Sequence, residues 1–260
     1  MHPYFELFGH SVPAYWLCTL AGTAACTVLL LVRHREFKEL REVDITNNAA
    51  LAAVGMIIGA RALYLITVLG IIVKNWELIT GDIHVLYELL YNGMVFYGGL
   101  FGALAAILLY CRRYGLDRGV FLDYFAPALP LFHAFGRIGC FLTGCCHGIV
   151  SRRYGIAFTH SISSENGVPY FPVQLLGSAL EFCLFIAVLL YEKRHRGEGK
   201  AVRFYLLVYA AGRFALEFLR GDAIRGIWFG LSTSQWISIA LFLAMAVRIL
   251  KERKEQESRR

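Results

Sequence analysis

The 260-residue chain is 57% hydrophobic and 17% charged, against about 25% charged for an ordinary globular domain. That deficit excludes a disordered chain, a collagen and a soluble nucleic-acid binder, and leaves a helical membrane protein whose apolar runs recur along the whole length. The net charge of +7, from 26 Lys and Arg against 19 Asp and Glu, then concerns topology and anionic lipid, with no nucleic-acid partner expected.

In chain order, spans are expected at 13–32, 45–73, 94–111, 119–136, 171–191, 201–219 and 229–247, with a small extracytoplasmic cap at 139–170. A hydrocarbon core of about 30 Å needs about 20 helical residues, which most of these runs approach or exceed. The fold class is therefore all-α: one polytopic membrane domain of about seven transmembrane helices, covering 1–260. Residues 1–13 lack a basic n-region, and the first apolar run is long enough to remain in the membrane, so no cleavable signal peptide is expected. Placing the N-terminus outside puts 18 of the 26 Lys and Arg inside and 5 outside (Lys74, Arg152, Arg153, Arg220 and Arg225). That bias predicts a cytoplasmic C-terminus.

Charge within the spans is the first functional signal, because a charged side chain at mid-bilayer costs about 2.5–3.5 kcal/mol on insertion scales and usually faces a cavity or a partner. Arg61, Asp123, Glu181, Arg203, Arg213 and Glu217 are of this kind. Arg137 and Arg213 fall near the outer ends of their spans, where two guanidiniums at one depth make a site for an anion such as phosphate. Snorkelling to the headgroups is the competing reading for either alone. Arg213, Glu217 and Arg220 are spaced i, i+4, i+7, one stripe of a helix, which predicts an internal ion-pair network. His133, Arg137 and Cys140 repeat that spacing. Gly93, Gly98, Gly99 and Gly102 surround Tyr97 and fit close helix packing.

Four of the seven cysteines (Cys18, Cys26, Cys111 and Cys183) lie in apolar runs as small hydrophobes. Cys140, Cys145, Cys146 and His147 cluster, yet the paired spacings of structural zinc sites are missing, so no metal is expected. A disulfide from Cys140 to Cys145 or to Cys146 is compatible with an oxidising outer side, and sequence does not choose between them.

The segment HAFGRIGCFLTGCCHG, 133–148, resembles the signature G-R-x-G-N-F-x-N-x-E-x-x-G of the prolipoprotein diacylglyceryl transferase family. Further resemblances follow in the family's order: YWLCTLAG from Tyr15, GAR ending at Arg61 and followed by Tyr64, FYGGLFG from Phe96, FPVQLLGSALE from Phe171 with Gln174, GRFALEFLRGD with Arg213, and LSTSQWIS from Leu231 with Gln235. The resemblance implies seven spans, an outside N-terminus and a bacterial plasma-membrane location. It also implies transfer of the diacylglyceryl group of phosphatidylglycerol to the thiol of a lipobox cysteine in a lipoprotein precursor, giving a thioether and glycerol phosphate without a cofactor. Arg137, Arg213, Tyr97 and His133 would be catalytic. Tyr15, Arg61, Cys140, Gly148, Glu217, Arg220, Gln174 and Gln235 would bind substrate. Guanidiniums facing the developing phosphate charge suit that chemistry, and the acceptor must react as thiolate.

The sequence departs from the family's pattern on the acceptor side. Tyr97 and Phe171 stand at histidine positions, Cys140 and Thr143 at asparagines, and Cys145 at the glutamate. Tyr97, with an ordinary pKa of about 10, is a poor base. Two alternatives therefore accompany the main expectation: a paralogous phospholipid-dependent transferase with another acceptor, and a non-catalytic membrane thiol or lipid-binding protein.

Overall fold

The computed structural model describes residues 3–7, 9–85, 87, 93–161, 164–221 and 227–258. Arg225, Arg259 and Arg260 of the charge census lie outside them. Helix dominates, as it must where a bilayer offers the backbone no hydrogen-bond partner and each segment has to satisfy its own N–H and C=O groups.

A hairpin of β1 (Tyr4–Leu7) and β2 (His10–Pro13) leads into α1 (Ala14–His34), α2 (Glu42–Lys74) and the short α3 (Trp76–Gly81). There follow α4 (Phe96–Tyr114), α5 (Arg118–Phe125) and α6 (Ala128–Thr143). The strand pair β3 (Ile156–Ala157) and β4 (Pro169–Tyr170) precedes α7 (Val173–Glu192) and α8 (Lys200–Glu217). A second pair, β5 (Ile227–Trp228) and β6 (Leu231–Ser232), precedes α9 (Thr233–Ser258). Five stretches are long and apolar enough to cross a membrane: Ala14–His34, Glu42–Lys74, Arg118–Thr143, Val173–Glu192 and Thr233–Glu252. The other two expected spans are occupied by α4 and α8, of 19 and 18 residues, which carry arginines.

Three boundaries differ from the sequence expectation, each for a local reason. The span expected at 119–136 is two helices, because Pro127 disfavours helical geometry at Ala126. The second of them continues through Gly139 and Cys140 to Thr143, so the cap begins at Gly144 and not at 139. Gly144 is left-handed (φ 74°), and the Cys145 N–H bonds back to the Cys140 carbonyl at 3.0 Å, the Schellman arrangement that closes a helix. The predicted Arg213–Arg220 stripe also outruns its helix. Helix α8 stops at Glu217, and Arg220 sits in the turn that follows, bridged antiparallel to Gly148.

The chain forms two compact units, one of residues 38–121 and one of residues 1–37 with 122–260. In the first, α2 lies against α4 along glycines. A Cβ at Gly59 would be 2.2 Å from the Gly98 carbonyl oxygen, and one at Gly55 would be 2.5 Å from that of Gly102. Only bare backbones approach this closely.

In the larger unit α1 packs on α6, α6 on α7, α7 on α8 and α8 on α9. The end of this bundle near Arg33 is closed by paired charges. Arg33 pairs with Glu192 at 3.3 Å and donates to the Asp123 carbonyl at 3.2 Å. Arg196 pairs with Glu192 and Glu36, each at 2.8 Å, and its guanidinium lies 4.2 Å from the Phe37 ring centroid. The Asp123 carboxylate accepts the N–H groups of Gly197, Gly199 and Ala201 at 2.9–3.1 Å. It thereby satisfies donors at the start of α8, where a negative charge also suits the helix dipole.

Candidate active site

At the other end of the same bundle, α6 presents one polar face. His133, Arg137 and Cys140 do share one helix, as their spacing predicts. His133 Nδ1 is 3.0 Å from Glu181 Oε1 of α7, and its ring meets Tyr209 edge-on at 5.6 Å. One turn further, the Arg137 side chain crosses α7 at Gly177, where a Cβ would come within 3.1 Å of the guanidinium Nε. Tyr15 lies along the opposite flank of α6, where a Cβ at Gly139 would meet its ring at 2.9 Å.

Arg137 is 8% exposed, and among the described residues no carboxylate or hydrogen-bond acceptor is paired with its guanidinium. Arg213 Nη2 pairs with Glu217 Oε2 at 2.8 Å and donates to the Ser234 hydroxyl at 3.3 Å. Arg220 Nη1 is 3.8 Å from the same Glu217 oxygen. Arg213 is within electrostatic reach of both Arg220 and Arg137. Half-buried Arg213 and Arg220 thus share the Glu217 carboxylate, and the buried Arg137 guanidinium stands within electrostatic reach of Arg213 with no paired carboxylate among the described residues.

Three stretches of extended chain cover this end. The segment after Gly148 runs between residues 169–171 and 219–221. Gly148 N–H bonds to Phe171 O at 3.2 Å, Ile149 N–H to Leu219 O at 2.9 Å and Ser151 N–H to Pro169 O at 2.9 Å. A Cβ at Gly148 would be 2.4 Å from the Phe171 oxygen and 2.9 Å from that of Leu219, so glycine alone lets the three strands meet. Gln174, fully buried, donates from Nε2 to the Cys145 carbonyl at 2.8 Å, and its Oε1 has no partner among the described residues.

The helix closure at Gly144 returns the chain so that the Sγ atoms of Cys140, Cys145 and Cys146 all lie within 4.8 Å of one another. Cys146 holds a left-handed backbone, φ 54°, that few non-glycine residues adopt. Hydrogen bonds from Cys140 and Cys145, with the charges of Arg220 and Arg137, draw the Cys146 thiol well below the ordinary thiol range. The contact with Cys140 favours the Cys145 thiolate, but its hydrogen bond to Cys146 and its burial outweigh that and push it up to about 11.

Of the residues singled out from sequence, the structure gathers Arg137, Arg213, Arg220, Glu217, Cys140, Gly148, Gln174 and Tyr15 around the end of α6. His133 sits one turn away, held by Glu181. Gln235 is engaged locally: its Oε1 accepts the Ser232 N–H at 2.9 Å while Ser232 Oγ accepts the Gln235 N–H at 3.3 Å, a capping box that starts α9. Arg61 and Tyr97 belong to the other unit. There Arg61 donates to the Gly93 carbonyl at 3.2 Å, and Tyr97, 2% exposed, stacks on Phe101. Sequence reasoning passed over Ser234 and Gly177, and read Glu181 as a charge within a span without its partner His133. The contacts of Gly177 and Glu181 run across helix pairs that no spacing reveals.

A polytopic helical membrane protein with arginines clustered at one end of its larger helical unit is the class that this fold and site define. The model of the prolipoprotein diacylglyceryl transferase family matches residues 3–251. A Clostridium tetani protein named phosphatidylglycerol–prolipoprotein diacylglyceryl transferase is 35% identical, over 90% of this chain and 91% of its own. A Clostridium perfringens protein of the same name, numbered 2, is 33% identical over 96% of each chain. The chain belongs to the prolipoprotein diacylglyceryl transferase family.

Proposed function

We propose that the protein transfers the diacylglyceryl group of phosphatidylglycerol to the thiol of a lipobox cysteine in a prolipoprotein, at the outer face of the bacterial plasma membrane. The observation that carries this is the buried Arg137 guanidinium, 8% exposed and without a paired carboxylate among the described residues, close to Arg213, which pairs with Glu217. The acceptor sulfur attacks the glyceryl carbon next to the phosphate ester. As the S–C bond forms, the C–O bond breaks, its electron pair passes to the phosphate oxygen, and glycerol phosphate departs with one more negative charge than the diester carried. Donors aimed at that oxygen lower the barrier because they are oriented before the charge develops. In this reading Arg137 and Arg213 hold the phosphate, and Glu217 fixes Arg213 and Arg220. Gly148 and Gln174 shape the cap where the acceptor peptide enters.

The 18 to 5 charge bias supports an outside N-terminus and a cytoplasmic C-terminus, which puts the arginine cluster at the outer leaflet. The test incubates membranes with labelled phosphatidylglycerol, with and without a lipobox peptide, and follows the products by mass spectrometry. Peptide bearing the diacylglyceryl thioether, together with glycerol phosphate, is the expected result. Donor consumption that is indifferent to the peptide would move the acceptor elsewhere, and no consumption would refute the transferase reading. The thiols at Cys140 and Cys145, standing where the family pattern has amide and carboxylate, are the feature that favours a different acceptor.

A further inference from the structure

Cys140, Cys145 and Cys146 are not used by the chemistry above, and their arrangement is that of ligands. The geometry points to a metal site: the three thiolates hold one zinc-class ion and leave its fourth position open to an incoming thiol. This rests on the transferase reading only for the identity of that thiol. The sulfurs lie within 4.8 Å of one another. Zinc–sulfur bonds of about 2.3 Å in a tetrahedron need sulfurs roughly 3.8 Å apart, a contraction that side-chain rotation supplies. Among the described residues no fourth His, Cys, Asp or Glu joins the group. The nearest candidate in sequence, His147, is turned aside, with Nδ1 2.9 Å from the Gly148 carbonyl oxygen and its ring tilted against Tyr170 with centroids 4.1 Å apart. Three protein ligands and an open position are the mark of a reactive zinc site, whereas structural sites are closed.

The surroundings fit such a site. Thr143 Oγ1 donates to Cys145 Sγ at 3.4 Å, and Gln174 holds the Cys145 carbonyl at 2.8 Å, the outer contacts that orient metal ligands. Three thiolates on a dication leave one negative charge, which Arg137 and Arg220, both within electrostatic reach of Cys146, offset. The strained left-handed backbone at Cys146 is what turns the third sulfur back toward the other two. The spacing C-x₄-C-C matches no standard zinc pattern because the helix closure, not a zinc loop, brings the sulfurs together.

The reaction at the ion balances simply. An acceptor R–SH binds the open position as R–S⁻ and releases its proton to water. The bound sulfur then forms the S–C bond as the phosphate C–O bond breaks, and no oxidant or reductant is consumed. A thiol whose ordinary pKa is about 8.5 is thereby presented as thiolate at neutral pH, the task for which the family pattern supplies polar groups that this chain lacks.

The full-length protein, purified in detergent, reduced with a phosphine and stripped by a chelator, is titrated with Zn²⁺ against a chromophoric competitor and with Co²⁺ by absorption. One ion per chain and the visible bands of tetrahedral cobalt thiolate are expected. Cys145→Ser and Cys146→Ser lower the affinity beyond the 10–100-fold that loss of an outer contact gives, and Thr143→Val lowers it within roughly that range, with helicity checked by circular dichroism. Adding a lipobox peptide shifts the cobalt bands, and its Cys→Ser analogue leaves them unchanged. Fully reduced protein, with all seven cysteines as free thiols, that binds neither ion overturns the site, as does an unaltered affinity in the serine variants. Identical spectra with both peptides overturn the open thiol position. Metal binding without donor turnover refutes the transferase reading alone, and turnover in protein that binds no metal refutes this inference alone.

Discussion

Arg137→Met removes a guanidinium that is 8% exposed and has no paired acceptor among the described residues, while keeping an aliphatic chain across Gly177. No buried acid is orphaned, so the penalty of about 1–3 kcal/mol for an abandoned partner does not arise, and the cost of desolvating the cation disappears. The expected melting temperature in detergent equals or exceeds that of the wild type. Turnover of labelled phosphatidylglycerol should fall about 10²–10³-fold or more, the loss that follows removal of one oriented donor worth about 2.7–4 kcal/mol in the transition state. Arg213→Met is the control. Glu217, 3% exposed, there loses a partner at 2.8 Å, while Arg220 at 3.8 Å and the hydroxyls of Ser234 and Ser232 remain. At an effective dielectric of about 20 the two arginine contacts carry gross attractions of about 6 and about 4 kcal/mol. Breaking a buried pair from one side typically costs on the order of 3–5 kcal/mol net, so Arg213→Met should lose both turnover and stability. If Arg137→Met melted as low as Arg213→Met while retaining wild-type turnover, the separation of binding cation from structural ion pair would be wrong.

Glu192→Ala should destabilise by on the order of 3–5 kcal/mol, because it strips carboxylate partners from Arg33 and Arg196 at once. Turnover per folded molecule should stay at the wild-type level, and a loss matching Arg137→Met would tie that end of the bundle to catalysis. Gly148→Ala places a carbon 2.4 Å from the Phe171 carbonyl oxygen. It should lower both melting temperature and turnover, and a wild-type melt would show that the cap strands are not packed as described. In reduced, metal-free protein, alkylation mapped by mass spectrometry should reach Cys146 before Cys145. A lowered thiol pKa keeps the thiolate populated as pH falls, whereas a thiol near about 11 is protonated throughout the neutral range; labelling of Cys145 first would reverse the assignment.

The spans were legible because a bilayer makes hydrophobic length a direct structural signal, and the ends were not, because they depend on single residues. Pro127 and Gly144 each moved a boundary through backbone geometry that an apolar run does not encode. The ion-pair partners Arg213, Glu217 and Arg220 were readable from spacing even though α8 stops at Glu217, since a tight turn keeps a residue three positions on within 3.8 Å. The thiol cluster was visible as a cluster, but not that a helix terminus folding back on itself brings its three sulfurs within 4.8 Å of one another. Gly177 beneath Arg137 could not be read at all, and Glu181 was read as a charge within a span but not as the partner of His133. Each is defined by which helices are neighbours, and no local pattern states that.

The two ends of the larger unit put the same residue type to opposite uses. Near Glu192 the guanidiniums of Arg33 and Arg196 meet carboxylates, a backbone carbonyl and an aromatic face, so their charge is neutralised in place. Around Glu217, Arg213 and Arg220 share one acid, and Arg137 is left without a paired acid among the described residues. Either arrangement alone would read as arginines tolerated near a membrane surface; the contrast separates them. A saturated cation holds helices together, and its removal is felt as lost stability. A buried cation with no paired acid among the described residues carries a desolvation cost of several kcal/mol. Where a sequence keeps such a local violation, the offsetting interaction belongs to something that binds there. Here its sign and depth call for an anion that enters with its hydrocarbon already in the bilayer.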